Sequence, residues 1–570
     1  MLWALLAIAI QGAADCPAAL APYDCAVAQV EHQDYPAAIE TLTRLLAQAP
    51  PPAKSANAAN TANLKVLNLL GIALTNAGRA EEASQRFQQA LAIDPGFLPA
   101  RKNLGINEFA RGKLAEAQRD FEQVLARAPD DEVAHLHLAE IAFQRKQPRA
   151  ALEHYEKAHA RITQSRNPTW LLHYAACLLD GDADVTHQPS KSREPAAAAV
   201  SKAVALLGQL PPDDSASVFD AGVLLGHAEA YREAARFFAT ARKGYKDAYA
   251  AGYNQVLMLV NAGDAASASS AIQVAEEMFA QGKDMRRAEL YSLAAQAYLK
   301  TERIKEAYDA LREATRIEPT IVEHYVDLAS ICVDHQNFDL GLEIVAIGLK
   351  YRPESSLLHL QRGVLFAMKG SIEEAAAAFE QASKAAPNEP VPYVAQAMIW
   401  MQTGQASKAV DVLRTQAQAR TRSKAGEKGE KDAVIFYALG VSLLRAGASP
   451  DDAAGAEALN AFTTAVRLSP DFPQARAELG KLLMKRGDTD GAITHLEKAV
   501  ALDPDNAAPA YVLAQAYRKR GEMDRARDLL ARVSRINTRE RGDDPDHELK
   551  RVIIRIVREG ATPKGSGTEP

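Results

Sequence analysis

Few residues of this chain stand in a pattern that could do chemistry. His135 and His137 have the residue types of a metal pair. Two apart on a helix, however, they point in different directions, whereas His137 and Glu140 share a face. The bland reading of that face is an ordinary solvated polar surface. Cys16 and Cys25 lie close enough in sequence to pair in an oxidising compartment. Cys177 and Cys332 fall inside helical patterns, where cysteine is usually a small buried apolar residue. There is no CxxC, HExxH, GxSxG or GxGxxG. GATPKGS, from Gly560 to Ser566, resembles a phosphate loop but lacks the Gly-Lys-Ser/Thr ending and a preceding strand. No catalytic residue, metal or cofactor is therefore expected, and the chain does not read as an enzyme.

What positions these residues is a repeat. LNLLGIALTNAGRAEEASQRFQQALAIDP is followed at a fixed interval by RKNLGINEFARGKLAEAQRDFEQVLARAP. Gly71 recurs as Gly105, Gly78 as Gly112, Ala83 as Ala117, Phe87 as Phe121 and Pro95 as Pro129. Leu67, Leu70 and Leu74 share one face of a first helix. Gly71 is small where a neighbouring helix must come close, and Gly78 is free to take a left-handed backbone in the turn. Ala83, Phe87 and Ala90 share a face of a second helix, which Asp94-Pro95 stops. Such a pair keeps one stripe too apolar for water, and only another copy can cover it.

These residues resemble the tetratricopeptide repeat. The resemblance implies an all-α fold, a right-handed superhelical solenoid of stacked helix–turn–helix units. Its first helices would line the inside and its second helices would face out. About fourteen units follow in order. Residues 1–14 read as an export signal, and 15–62 as a degenerate first repeat with a small-residue spacer. Three clean repeats occupy 63–160. Divergent repeats span 161–285, with a loop insertion near 180–194, and four repeats occupy 286–417. A charged loop at 418–432 precedes three repeats at 433–537. A capping region at 538–559 and a disordered tail at 560–570 close the chain.

The signal reading rests on LWALLAIAI followed by the small residues Gly12 and Ala14; no Lys or Arg precedes it. The alternative is a first helix covering the end of the solenoid in a cytoplasmic protein. Asp15 argues against acylation of Cys16. The apolar run is short for a membrane span and no other segment could cross one, so the mature chain is expected to have none. The formal net charge of −6 is small for 570 residues and argues against nucleic acid as a partner.

By resemblance, the second, fifth, ninth and twelfth residues of each repeat point into the groove. Around Ala397 and Gly440 these are Val391, Val394, Met398, Met401, Val434, Tyr437, Val441 and Leu444, almost wholly apolar. In the last two repeats they become Gln474, Lys481, Gln515 and Arg518. An apolar wall with a polar end suits an amphipathic helix or an extended peptide of a partner protein; the competing reading is that these residues pack between helices. Some family members hold an acidic carboxy-terminus with a clamp of Lys, Asn and Arg. Asn103 fits one clamp position here, but Ile72, Val133 and His137 occupy others. The expected function is a protein-interaction scaffold, in the assembly or trafficking of an envelope complex. The alternatives are docking of a separately encoded enzyme and groove binding of a lipid or polysaccharide.

LKRVIIRIVRE is amphipathic and basic. It reads as a cap over the last repeat, with a partner-binding or membrane-surface helix as the alternative. Replacing Val552, Ile553 and Ile556 with Asp is expected to lower the thermal midpoint of the full chain. An unchanged midpoint would remove the capping role.

Overall fold

The computed structural model describes residues 21–49, 58–180, 197–422 and 429–540. The export signal, Cys16, most of the insertion near 180–194, LKRVIIRIVRE and the 560–570 tail lie outside these residues. The described residues form helices and connecting turns only, and the chain divides into two compact units, residues 1–280 and 281–570.

Unit 1 runs α1 (Pro22–Glu31), α2 (Tyr35–Gln48), α3 (Ala58–Asn76), α4 (Ala80–Ile93), α5 (Leu98–Ala110), α6 (Leu114–Leu125), α7 (Glu132–Gln144) and α8 (Pro148–Lys157). It continues with α9 (His159–Ser165), α10 (Pro168–Asp180), α11 (Ala197–Leu207), α12 (Ser215–His227), α13 (Tyr231–Ala241), α14 (Ala248–Asn261) and α15 (Ala265–Gln281). Unit 2 runs α16 (Ala288–Lys300), α17 (Ile304–Ile317), α18 (Val322–Asp334), α19 (Phe338–Tyr351), α20 (Ser356–Lys369), α21 (Ile372–Ala385) and α22 (Pro390–Gln402). It ends with α23 (Ala406–Arg422), α24 (Gly429–Arg445), α25 (Ala453–Leu468), α26 (Pro473–Lys485), α27 (Thr489–Leu502), α28 (Ala507–Arg520) and α29 (Met523–Glu540). Apart from α9, a short continuation of α8, consecutive helices form pairs.

Within each unit a pair is covered by the next pair, as a solenoid requires. First helices also touch first helices: α3 packs on α5, α5 on α7, α18 on α20, α20 on α22, α22 on α24, and α26 on α28. They form one layer, and the second helices form the other.

The glycine and aromatic of each repeat are one device. Phe87, Phe121, Phe238, Phe379 and Phe462 are buried on second helices, and each ring lies against Gly71, Gly105, Gly222, Gly363 or Gly440 of its partner helix. Burying each ring contributes about 1.5–3 kcal/mol. A Cβ added at Gly363 would stand 2.4 Å from the Phe379 ring, so a larger residue there pushes the helices apart. Gly78 and Gly112 take φ of 76° and 73° in their turns, the left-handed backbone expected for Gly78.

A second device ties seven of the repeats to the one before. The closing proline leaves its carbonyl outside both flanking helix ladders, where it needs a donor. The fourth residue of the following repeat supplies one from its side chain. Arg101 Nη2 donates to Pro95 O at 3.0 Å, His135 Nε2 to Pro129 O at 2.8 Å and Tyr325 Oη to Pro319 O at 3.0 Å. His359 Nε2 donates to Pro353 O at 2.8 Å, Tyr393 Oη to Pro387 O at 3.3 Å and Arg476 Nε to Pro470 O at 2.5 Å. In the last repeat, where Ala510 has no donor, Arg532 of the second helix reaches Pro504 O at 2.7 Å.

Two boundaries differ from the sequence reading. Residues 58–62, expected as spacer, belong to α3. Ala-rich sequence favours the helix, and Asn60 and Asn63 are buried along it. The charged stretch 418–432 is helical at both ends, in α23 and α24. There Arg420 Nε meets Asp432 Oδ1 at 2.8 Å, an ion pair between the two helix extensions.

At the α5–α6 pair, Arg101 Nη1 also reaches Asp120 Oδ1 at 3.0 Å, and Glu108 Oε2 is buried without a hydrogen-bond partner. Glu108 is 7% exposed, and burial, followed by the Asp120 and Glu116 charges, raises its pKa to about 7. The folded state therefore favours the neutral carboxyl. That stability is full below the ordinary value of 4.5 and is lost as pH rises through about 7.

Two outcomes follow. Gly363→Ala should lower the urea midpoint by the equivalent of about 1–3 kcal/mol, and adding Phe379→Leu should recover part of the loss. Glu108→Gln should stabilise the protein relative to wild type at pH 8 but not at pH 4. Parallel midpoint-against-pH curves for the two proteins would contradict the second.

Candidate partner-binding wall

The first helices of unit 2 carry the residues expected to line a groove. On α22, Val391 and Met401 are half-buried at the surface of the helix layer, while Val394 and Met398 are only 7% and 5% exposed. The latter two belong to the packing between helices, so the wall is narrower than the spacing implies. On α24, Val434, Tyr437, Val441 and Leu444 are all half-buried. The two helices meet where Ser442 Oγ lies 3.2 Å from Met401 Sδ. The Tyr437 ring centroid lies 6.2 Å from Phe462 of its own repeat and 5.0 Å from Phe472 at the start of the next. These half-buried apolar residues thus form a strip on two helices packed side by side.

The last two repeats change character. Gln474, Gln515 and Arg518 are exposed. Lys481 is half-buried and bound to Glu478 at 2.7 Å, which offsets its charge. Tyr511, the fifth residue of its repeat, is 48% exposed on the same helix as Arg518. It occupies one of the positions expected to line the groove, and the sequence reading did not name it. On α18, burial and the nearby Glu323 raise the pKa of the Asp327 carboxyl to about 6.

Unit 1 holds the histidines singled out from sequence, and each has a partner. His137 Nδ1 lies 2.8 Å from Val133 O, and its ring stacks on Phe121 at 4.9 Å. Burial holds its pKa below the usual histidine value. Glu140, 5% exposed, accepts from Tyr155 Oη at 2.7 Å and faces His173 Nδ1 at 3.0 Å; His173 stacks on Phe143. This face is buried and internally bonded rather than solvated. His135 meets not His137 but His154, across the helix pair, with Nδ1 atoms 2.9 Å apart. Nothing in a linear motif marks His154, nineteen residues away. Asn103, the one residue matching a clamp position, donates to Asn68 Oδ1 at 2.9 Å.

Among the described residues no group of three or more His, Cys, Asp or Glu side chains is set to hold a metal. Cys177 and Cys332 are free and buried, as small apolar residues would be. Burial, followed by the Asp180 and Glu140 charges, pushes the Cys177 thiol up to about 12, far from a nucleophile's range. Cys25 is disulfide-bonded. A 630 Å³ cleft in unit 1 is lined by Val200, Tyr231, Glu233 and Arg236 among others. No described helix is long and apolar enough to cross a membrane.

No curated protein matches the chain. Among solved structures, the chain is similar to yeast Tom70 at 16% identity, with 94% of this chain and 98% of that one covered and a TM-score of 0.38. A structure of the APC/C hetero-tetramer Cut9–Hcn1 matches at 11% identity, 86% and 95% coverage and a TM-score of 0.32. MamA matches at 21% identity over 32% of this chain and 97% of its own, with a TM-score of 0.26. Family models described as tetratricopeptide repeat match residues 64–93, 102–165, 288–321, 326–390, 437–507 and 483–542. With these matches spread over both units, and the helix pairs, glycine–aromatic contacts and proline joins in place, the chain belongs to the tetratricopeptide repeat family.

Proposed function

We propose that this protein is an interaction scaffold that takes a partner polypeptide along the first-helix wall of unit 2. The observation that carries this reading is the apolar strip formed by Val391, Met401, Val434, Tyr437, Val441 and Leu444 on two helices packed side by side. It faces outward from the layer, and its residues are held by the helices beneath them. A preformed apolar surface loses little order on binding and favours an amphipathic or extended partner segment. Exposed Tyr511, Gln515 and Arg518 offer polar and aromatic contacts in the last repeat.

The setting we propose is the cell envelope, in assembly or trafficking of a complex there. The apolar residues 1–14 and the disulfide at Cys25 support export to an oxidising compartment.

Val441→Glu combined with Leu444→Glu places two charges on the strip without touching the buried Val394 and Met398. With helicity and thermal midpoint matched to wild type, partner recovery by affinity capture from the native organism should fall about tenfold or more. Equal recovery by both proteins would remove the strip from the binding surface.

A further inference from the structure

Three repeats add a polar pair to the proline join, always between residues nineteen apart on the first and second helix. The pairs are Arg101–Asp120, His135–His154 and Arg476–His495. The first joins a cation to an anion. The other two rely on an imidazole with a bare nitrogen, and the hydrogen-bond geometry says which one.

Pro129 O can only accept, so His135 Nε2, 2.8 Å away, carries the proton. A neutral His135 then has a bare Nδ1, and His154 Nδ1 must be the donor across the 2.9 Å gap. A charge on His154 leaves this bond intact, because its Nδ1–H still points at His135. A charge on His135 as well sets two N–H groups face to face. His135 is 2% exposed, so water cannot take over the lost bond. Glu122 of α6, Glu153 and Lys157 of α8, and His135 of α7 face His154. His135 faces Pro129 O and His154; Asp131, one turn earlier, is engaged in capping α7 and in its pair with Lys102. In the α26–α27 pair, His495 Nδ1 faces Arg476 Nη1 at 3.4 Å, and a proton on His495 would oppose a guanidinium.

We propose that the α7–α8 and α26–α27 pairs are acid-labile joints, locked while an imidazole nitrogen stays bare and released when it is protonated. The Arg101–Asp120 pair and the Tyr325 and Tyr393 joins keep their donors unchanged over the same range. At the α26–α27 pair the direction agrees with burial, which lowers the basicity of His495. A lowered histidine contributes stability that is present above its ordinary value of 6.5 and is lost as pH falls through the depressed one.

Hydrogen–deuterium exchange on the full chain at pH 7.5 and 5.0, corrected for intrinsic rates, tests this. Amides of α7, α8, α26 and α27 should exchange about tenfold faster at pH 5.0, the effect of one lost buried hydrogen bond. Amides of α22 should keep their protection. The double variant His135→Arg/His154→Asp moves the Arg101–Asp120 arrangement into the joint and should abolish the response in α7 and α8 alone. His135→Gln removes the imidazole whose charge breaks the bond; it should do the same where the double variant does not fold. An acid response equal in all repeats, none in α7 and α8, or one that survives in His135→Gln would overturn the proposal.

Discussion

At seven joins a proline carbonyl is the group on which the stacking depends. A solenoid has no central core, so every pair of helices must be held at a fixed angle to the next. The chain stops a helix with proline, which cannot continue it, and this leaves a carbonyl in the crease between two repeats. Unmet there, the carbonyl costs about 1–3 kcal/mol per join. A donor from the first turn of the next helix meets it and also fixes where that helix begins. The donor is Arg, His or Tyr; what the site demands is an N–H or O–H at the right reach, not one residue type. An arginine brings a charge with it, and at Arg101 that charge is met by Asp120.

The same joins decide what the first helix offers to a partner. Its fourth residue is turned to the crease, and its eighth is a glycine or alanine pressed by the second helix. The second, fifth, ninth and twelfth are the positions expected to line a groove. Close packing of neighbouring first helices then claims some of these too. Val394 and Met398 sink into the layer, while Val391 and Met401 on the same helix stay at its surface. A wall of this kind is stiff, because the residues under it already belong to the packing of the frame.

Much of this frame was legible in the sequence. Gly71, Phe87 and Pro95 recur at one interval because each meets a steric demand that few residues satisfy. Where the demand is looser, the signal fades. Lys146, Glu229, Glu302 and Gln336 hold the left-handed turn position with φ of 57–59° and no glycine to announce it. The packing around the turn overrides the local preference. The start of α3 was missed because alanine and asparagine suit a spacer and a helix alike. His154 and the proline-bound donors were missed for a deeper reason. Hydrogen-bond capacity is shared by unlike side chains, so it leaves no repeated letter.

This distribution of polar groups bears on what the protein does. A side chain that acts on a substrate must keep a lone pair or a proton turned toward it. Here Glu140 is engaged by Tyr155 and His173, His137 by a backbone carbonyl, and Arg101 by Asp120 and a proline. Their hydrogen-bonding capacity is used to set the angle between helices. On α22 and α24, by contrast, Val391, Val434, Val441 and Leu444 present hydrocarbon only, so charged substitutions there leave those hydrogen bonds in place.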